Sequence, residues 1–330
     1  MASHKSRNRA IIRALLGTPL AAALAGIAYS TFGVDHGMML PAAVSGERRE
    51  IATPAGRISY YHAGRGKPLL LIHSINAAAS AYEVRPLYEH YSASRHVYAL
   101  DLPGFGFSER SQREYTPRLY VDAVMAMIDQ IRRDTGADEV DALAVSLGSE
   151  FLARAASEHP TRFDTVALVA PTGVGKNDTW YGEPNSVRGN QAAKAVFSAL
   201  GRPFYDALTS RASMRYFLAK TFGSDSAVDE GLLEYGYLSA HQPGAQRAPF
   251  AFVSGMLFSA DISRVYESLE MPVFAAHGVR GDFTDYGRLP KLAARGNWTV
   301  AEFATGAMPY FETPEQFIAA YDAFLAHVPA

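Results

Sequence analysis

The chain has 330 residues, 48% of them apolar and 19% charged, and it carries no cysteine. That length and apolar content suit one large domain with an insertion and exclude disordered, collagen-like and disulfide-stapled classes. The 31 basic and 33 acidic residues leave a formal charge of -2, which supplies no basic face for nucleic acid, and the missing cysteines remove thiolate metal sites and cysteine nucleophiles while leaving the redox compartment open.

At the N-terminus, Lys5, Arg7, Arg9 and Arg13 precede an uncharged stretch from Ala14 to Val34. At about 1.5 Å rise per residue this stretch is long enough to span a bilayer, and it reads as a signal anchor with its basic end cytoplasmic. Two alternatives stay open. A secretory signal would be cleaved near Ala23-Leu24-Ala25, leaving a secreted or periplasmic domain, and a peripheral amphipathic helix fits the Ala, Gly and Pro19 content. Residues 34–46 read as a linker, closing an N-terminal segment of residues 1–46.

Beyond it the pattern turns extended. Glu50 to Thr53 and Arg57 to Tyr61 flank Pro54-Ala55-Gly56 and predict a hairpin. Pro68 to Ile72 is wholly apolar, as expected of a strand covered on both faces, and similar runs follow at His96–Leu100, Val140–Val145, Thr165–Ala170, Val273–Ala276 and Trp298–Phe303. Helical patterns lie between them. One opens at the capping pair Thr116-Pro117 and carries Tyr120, Val124, Met127, Ile128 and Ile131 on one face; another opens at Thr313-Pro314-Glu315-Gln316 with Phe317, Ile318, Tyr321, Phe324 and Leu325. Such alternation predicts an α/β fold with a doubly wound, mostly parallel sheet. It is interrupted at residues 176–254, which read as a helical cap inserted into a core made of residues 47–175 and 255–330.

Ala144-Val145-Ser146-Leu147-Gly148 follows one buried strand and precedes a helical pattern, the setting of a nucleophile elbow. His73-Ser74-Ile75-Asn76 follows another strand, and Asp101-Leu102-Pro103-Gly104-Phe105-Gly106-Phe107-Ser108 lies upstream of the elbow. With these segments the chain resembles the α/β-hydrolase family from about Ile51 to its C-terminus. The resemblance implies that Ser146 is the nucleophile and that the N–H groups of Ile75 and Leu147 form an oxyanion hole. Ser74 departs from the usual glycine, and Ala144 from the usual first glycine of the elbow.

The same resemblance implies an acid after the strand Val273–Ala276, where Asp282 is the first candidate and Asp285 the alternative. It also implies a histidine after the last strand. Thr305-Gly306-Ala307-Met308-Pro309 matches that ending except that Ala307 stands at the histidine position. An alkyl group cannot take the serine proton. Of the ten histidines, His277 and His241 are the candidates for a substitute base, while His73 belongs to the oxyanion loop and His327 lies near the end of the final helix. His73, Ser74, Asn76, His241 and His277 are thus the candidate pocket residues. No spacing suggests a metal ligand set or phosphate loop, and no cofactor is expected.

The cap stretch carries Trp180, Tyr181, Phe197, Phe204, Tyr205, Tyr216, Phe217, Phe222, Tyr235 and Tyr237, which read either as a lid over an apolar acyl ligand or as the cap's own core. Three functions remain open: an ester or related acyl hydrolase impaired by the loss of its base, a membrane-tethered pseudoenzyme that binds or scaffolds, and a different reaction using His277 or His241. The expected partner is an apolar small molecule, with a membrane contact through the N-terminal segment.

Overall fold

A computed structural model describes residues 24–327. Eight strands form one sheet: β1 (Glu47–Thr53), β2 (Gly56–Ala63), β3 (Pro68–Ile72), β4 (His96–Leu100), β5 (Val140–Val145), β6 (Phe163–Val169), β7 (Val273–Gly278) and β8 (Trp298–Phe303). Their order is β1-β2-β4-β3-β5-β6-β7-β8. The β1–β2 hairpin and the β2–β4 pair are antiparallel, and every later pair is parallel. The predicted α/β fold with a mostly parallel, doubly wound sheet is therefore the fold observed.

The apolar runs work as buried strands because successive side chains enter opposite cores. Leu70 and Ile72 of β3, with Ala142 and Ala144 of β5, join one hydrophobic cluster. Leu69 and Leu71, with Leu143 and Val145, join the other.

The helices are α1 (residues 24–28), α2 (Arg85–Tyr91), α3 (Pro117–Thr135), α4 (Gly148–Glu158), α5 (Gln191–Leu208), α6 (Arg211–Phe222), α7 (Glu230–Ala240), α8 (Arg247–Val253), α9 (Ile262–Glu267), α10 (Leu289–Ala293), α11 (Pro309–Glu312) and α12 (Pro314–His327). Helix α3 starts where Thr116 accepts the Leu119 N–H at 3.3 Å and stops at Gly136, whose left-handed conformation lets its N–H cap the Arg132 carbonyl. Its apolar stripe is buried against α4, with Tyr120 stacked on Phe151 at 4.7 Å. Each such side chain contributes roughly 1.5–3 kcal/mol through burial.

Helices α5 to α8 lie between β6 and β7 in the chain, where the cap is expected. Tyr205 and Phe250, with Phe197 and Phe204 against them, make a small separate cluster, while Phe222 and Tyr235 pack into the main core. Tyr216 and Phe217 are exposed.

The stretch before β1 is not a free linker. Leu40, Ala43 and Val44 are buried in the core, Ala43 N–H donates to the Tyr61 hydroxyl at 3.1 Å, and Tyr235 donates to the Pro41 carbonyl at 3.0 Å. Its apolar residues are too few and too scattered to show a period, yet they fill a groove made by other elements. Part of the predicted anchor is docked as well. Tyr29–Gly33 forms a π-helical turn, and Ser30 donates to the buried carboxylate of Asp206 in α5 at 2.5 Å. Residues 1–23, which hold the rest of that segment, lie outside the described residues. No helix among the described residues is long and apolar enough to cross a membrane.

Candidate active site

Strand β5 ends at Val145, and Ser146 adopts φ 52°, a left-handed conformation that is strained for a residue with a side chain. Its N–H is held by the Val169 carbonyl at 2.7 Å, and α4 begins two residues later. Only glycine fits at Gly148, because a Cβ there would stand 2.6 Å from the His73 carbonyl. The small residues around the serine therefore record how closely the β5–α4 turn approaches the β3 loop.

That loop is fixed from within. His73 is fully buried; its Nε2 accepts the Leu102 N–H at 2.9 Å and its Nδ1 donates to the Ser74 carbonyl at 2.5 Å. Burial lowers its pKa to about 4, so the ring is neutral with both nitrogens engaged. His73 does not line the cavity at Ser146, contrary to its place among the pocket candidates, and serves to tie the loop to the segment after β4. Ser74 and Asn76 do line it.

Both residues converge on Glu83, which the sequence motifs do not single out. Ser74 N–H donates to Glu83 Oε2 at 2.8 Å, and the Asn76 amide donates to Glu83 Oε1 at 2.6 Å and to the Ser74 hydroxyl at 3.0 Å. Glu83 is buried and lines the cavity, and desolvation raises its pKa against the pull of these donors. The available signal was a lone acidic residue in the otherwise uncharged run from Ser74 to Val84, opposite a serine that replaces glycine. Among the described residues, the N–H groups of Ile75 and Leu147 donate to no protein acceptor.

The cavity has a volume of about 420 Å³. Ser146, Ile75, Ala307 and both candidate acids, Asp282 and Asp285, line it. Ala307 is buried, and its N–H donates to the Thr221 carbonyl of α6 at 2.9 Å. A Cβ on Gly306 would meet the α6 backbone at 2.4 Å, so the loop after β8 is pressed directly against that helix.

Among the described residues, no histidine lines the cavity. His277 stacks on Tyr286 with ring centroids 4.4 Å apart and faces its Nδ1 to the Gly278 carbonyl at 3.2 Å. His241 is fully buried beside the separate cap cluster, with Nδ1 2.7 Å from the Tyr237 carbonyl and Nε2 3.9 Å from Asp206. Both candidate substitute bases are thus packed elsewhere, because each ring is drawn to a neighbouring aromatic ring and a backbone carbonyl. His327 is exposed on α12.

The acids differ in their company. Asp282 is exposed, and its carboxylate pairs with Lys220 of α6. Asp285 accepts the Lys176 N–H at 2.8 Å and the Gly287 N–H at 3.2 Å. The aromatic wall also differs from the lid expected. None of the ten cap aromatics lines the cavity; its aromatic residues are Phe252, Phe258, Phe283 and Tyr286.

One cation faces this space. Arg188 lies over Trp180 and Phe258, donates to Glu150 at 3.0 Å, and keeps a buried Nε with no partner among the described residues. Glu150, on the first turn of α4, also accepts from Thr172 at 2.7 Å and from the Ser259 N–H at 2.8 Å. Desolvation raises its pKa, and Arg188 opposes the rise. Arg188 sits in the inserted stretch without a motif, so only the charged residue inside a buried helix start hinted at the pair. No cluster of three or more His, Asp or Glu able to hold a metal ion occurs among the described residues.

The α/β-hydrolase fold family model matches residues 67–202. A 2-hydroxymuconate semialdehyde hydrolase of Pseudomonas sp. (strain CF600) is 29% identical over 128 residues, 38% of this chain and 44% of that protein. The aligned part thus spans less than half the length of this curated relative. Among solved structures, a serine hydrolase involved in carbazole degradation superposes with a TM-score of 0.68 at 18% identity, covering 86% of this chain and 99% of that one. A membrane phospholipase A, described as a bacterial virulence factor, superposes with a TM-score of 0.64 at 20% identity, covering 97% and 99%.

Proposed function

We propose, for a chain that belongs to the α/β-hydrolase fold family, that it is a carboxylic ester or related acyl hydrolase whose nucleophile, Ser146, has lost its base and turns over slowly. The observation that carries this reading is Ser146 at φ 52° in a cavity that no histidine among the described residues lines. A strained elbow costs about 1–3 kcal/mol and serves only to lift a hydroxyl into the cavity.

In this reading the acyl oxygen lies against the N–H groups of Ile75 and Leu147, which stabilise the negative charge that develops on it. Phe252, Phe258 and Phe283 receive an apolar acyl chain. The Ser146 proton has no acceptor at residue 307, so attack is slow. Asp282, or Asp285 in its place, would orient an imidazole at that position. Hydrolysis of short and medium acyl esters by the chain and by Ala307→His tests this, with Ser146→Ala as the control in each background.

A second reading is a pseudoenzyme that binds the same ligand without turnover. Lys220 supports it, because its ammonium already occupies the Asp282 carboxylate. Ligand binding with no turnover in any variant would favour it.

The N-terminal segment is proposed as a membrane tether confined to residues up to 28, since Tyr29–Gly33 packs on the folded body. The basic residues Lys5, Arg7, Arg9 and Arg13 support this orientation. Fractionation of the full chain beside a variant lacking residues 1–28 checks it; recovery of both in the soluble fraction would remove the tether.

A further inference from the structure

A second cavity, of about 480 Å³, opens where the segment Phe107 to Arg110 meets the turn from Gln242 to Arg247. It shares no lining residue with the Ser146 cavity. Arg57, Arg110 and Arg247 line it with a single lining carboxylate, Glu109.

Two of these arginines have protein partners. Arg57 donates to Glu50 at 3.1 Å, and Arg247 donates to the Arg110 carbonyl at 2.5 Å. Arg110 is different. Its guanidinium donates to no described residue, and two of its nitrogens, Nε and Nη2, are buried. The nearby carboxylates are engaged elsewhere. Asp101 accepts the Ala81 and Phe107 N–H groups, each at 2.9 Å, and Glu109 accepts the Arg57 N–H at 3.0 Å and lies 3.7 Å from Arg113. Burial lowers the pKa of Arg110, but a guanidinium keeps its charge in proteins. A half-buried cation without hydrogen bonds is costly, and guanidinium donors match phosphate oxygens.

We propose that this cavity binds a phosphoryl dianion, as inorganic phosphate or as a phosphomonoester, with the half-buried Arg110 as its unpaired cation and Arg247 and Arg57 beside it. Three arginines against one lining carboxylate favour an anion, and the open mouth leaves room for an ester substituent. Nothing in this assignment depends on the chemistry at Ser146.

The test is the thermal midpoint of the full chain, titrated with inorganic phosphate, phenyl phosphate and acetate at constant ionic strength and pH 7.5, with calorimetric titration for affinity. A saturable rise with both phosphates and not with acetate is expected, since a ligand bound only by the native state raises the midpoint. Arg110→Met should abolish the rise, and by removing an unpaired buried charge it should raise the midpoint in phosphate-free buffer. Arg247→Gln should weaken phosphate affinity about tenfold, on the order of one charge-assisted hydrogen bond, and keeps the test valid if Arg110→Met does not fold. Arg188→Gln should leave the response intact. An equal response to acetate, no saturable response, or a response lost with Arg188→Gln and kept with Arg110→Met would each overturn the proposal. A rise with inorganic phosphate alone would still place the dianion here and restrict the site to the free ion.

Discussion

Ala307 lines the same cavity as Ser146, on the loop that follows β8. The loop itself is in place: Gly306 abuts the α6 backbone, and the Ala307 N–H is anchored to Thr221. An imidazole attached there would enter a cavity lined by four carboxylates, Glu83, Asp178, Asp282 and Asp285. Four consequences follow from the surroundings of this pair, before the pair itself is put to the test.

Lys220 competes with any imidazole for Asp282. In an Ala307→His background, Lys220→Met should raise kcat severalfold with little change in KM, and Asp282→Asn should remove the gain. If Asp285→Asn removes it instead, Asp285 is the acid.

Glu83 holds the loop that presents the Ile75 N–H. Glu83→Leu leaves the Ser74 N–H and the Asn76 amide without their acceptor, at a cost of about 3 kcal/mol in unfolding free energy by urea titration. In the Ala307→His background the same change should lower kcat more than KM. Unchanged stability would show that the two donors find other partners.

Ser146→Gly relieves the left-handed strain, since glycine adopts φ 52° without a Cβ penalty. Stability should rise by about 1 kcal/mol, while any ester turnover is lost. A fall in stability would mean that the elbow is not strained.

His73 contributes to the acid limb of stability with a definite sign. Its pKa is lowered from 6.5 to about 4 in the folded chain, so the unfolded chain binds the proton more readily. Stability from this group is present above pH 6.5 and is lost as pH falls through that window, by up to roughly 3 kcal/mol near pH 4. Protonation also removes the acceptor for the Leu102 N–H. Between pH 7 and 4.5 the urea midpoint should fall further for the unsubstituted chain than for His73→Gln.

The sheet was legible because its inner strands are apolar runs; His96–Leu100 and Val140–Val145 have the bounds read from sequence, as does Trp298–Phe303, although that strand is the sheet's edge and largely uncovered rather than buried on both faces. The elbow was legible because local backbone geometry demands particular small residues, as Gly148 shows. Glu83, Glu150 and Arg188 were not, since each is defined by partners remote in the chain rather than by a neighbouring motif. The same holds for residues 34–46, whose buried Leu40, Ala43 and Val44 pack into a groove built by Tyr61 and Tyr235. His241 and His277 show the reverse case, in which residues of the right chemistry are packed where the chemistry has no use for them.

The account turns on the missing base, and the hydrolysis rate of p-nitrophenyl acetate and butyrate by Ala307→His tests it most directly. General-base catalysis is worth about 10²–10⁴-fold, so at least a hundredfold gain in kcat/KM over the unsubstituted chain is expected, and Ser146→Ala in the same background should abolish it. A correctly folded Ala307→His protein with no gain, or a gain that survives Ser146→Ala, would contradict the assignment of Ser146 as a nucleophile waiting for its base.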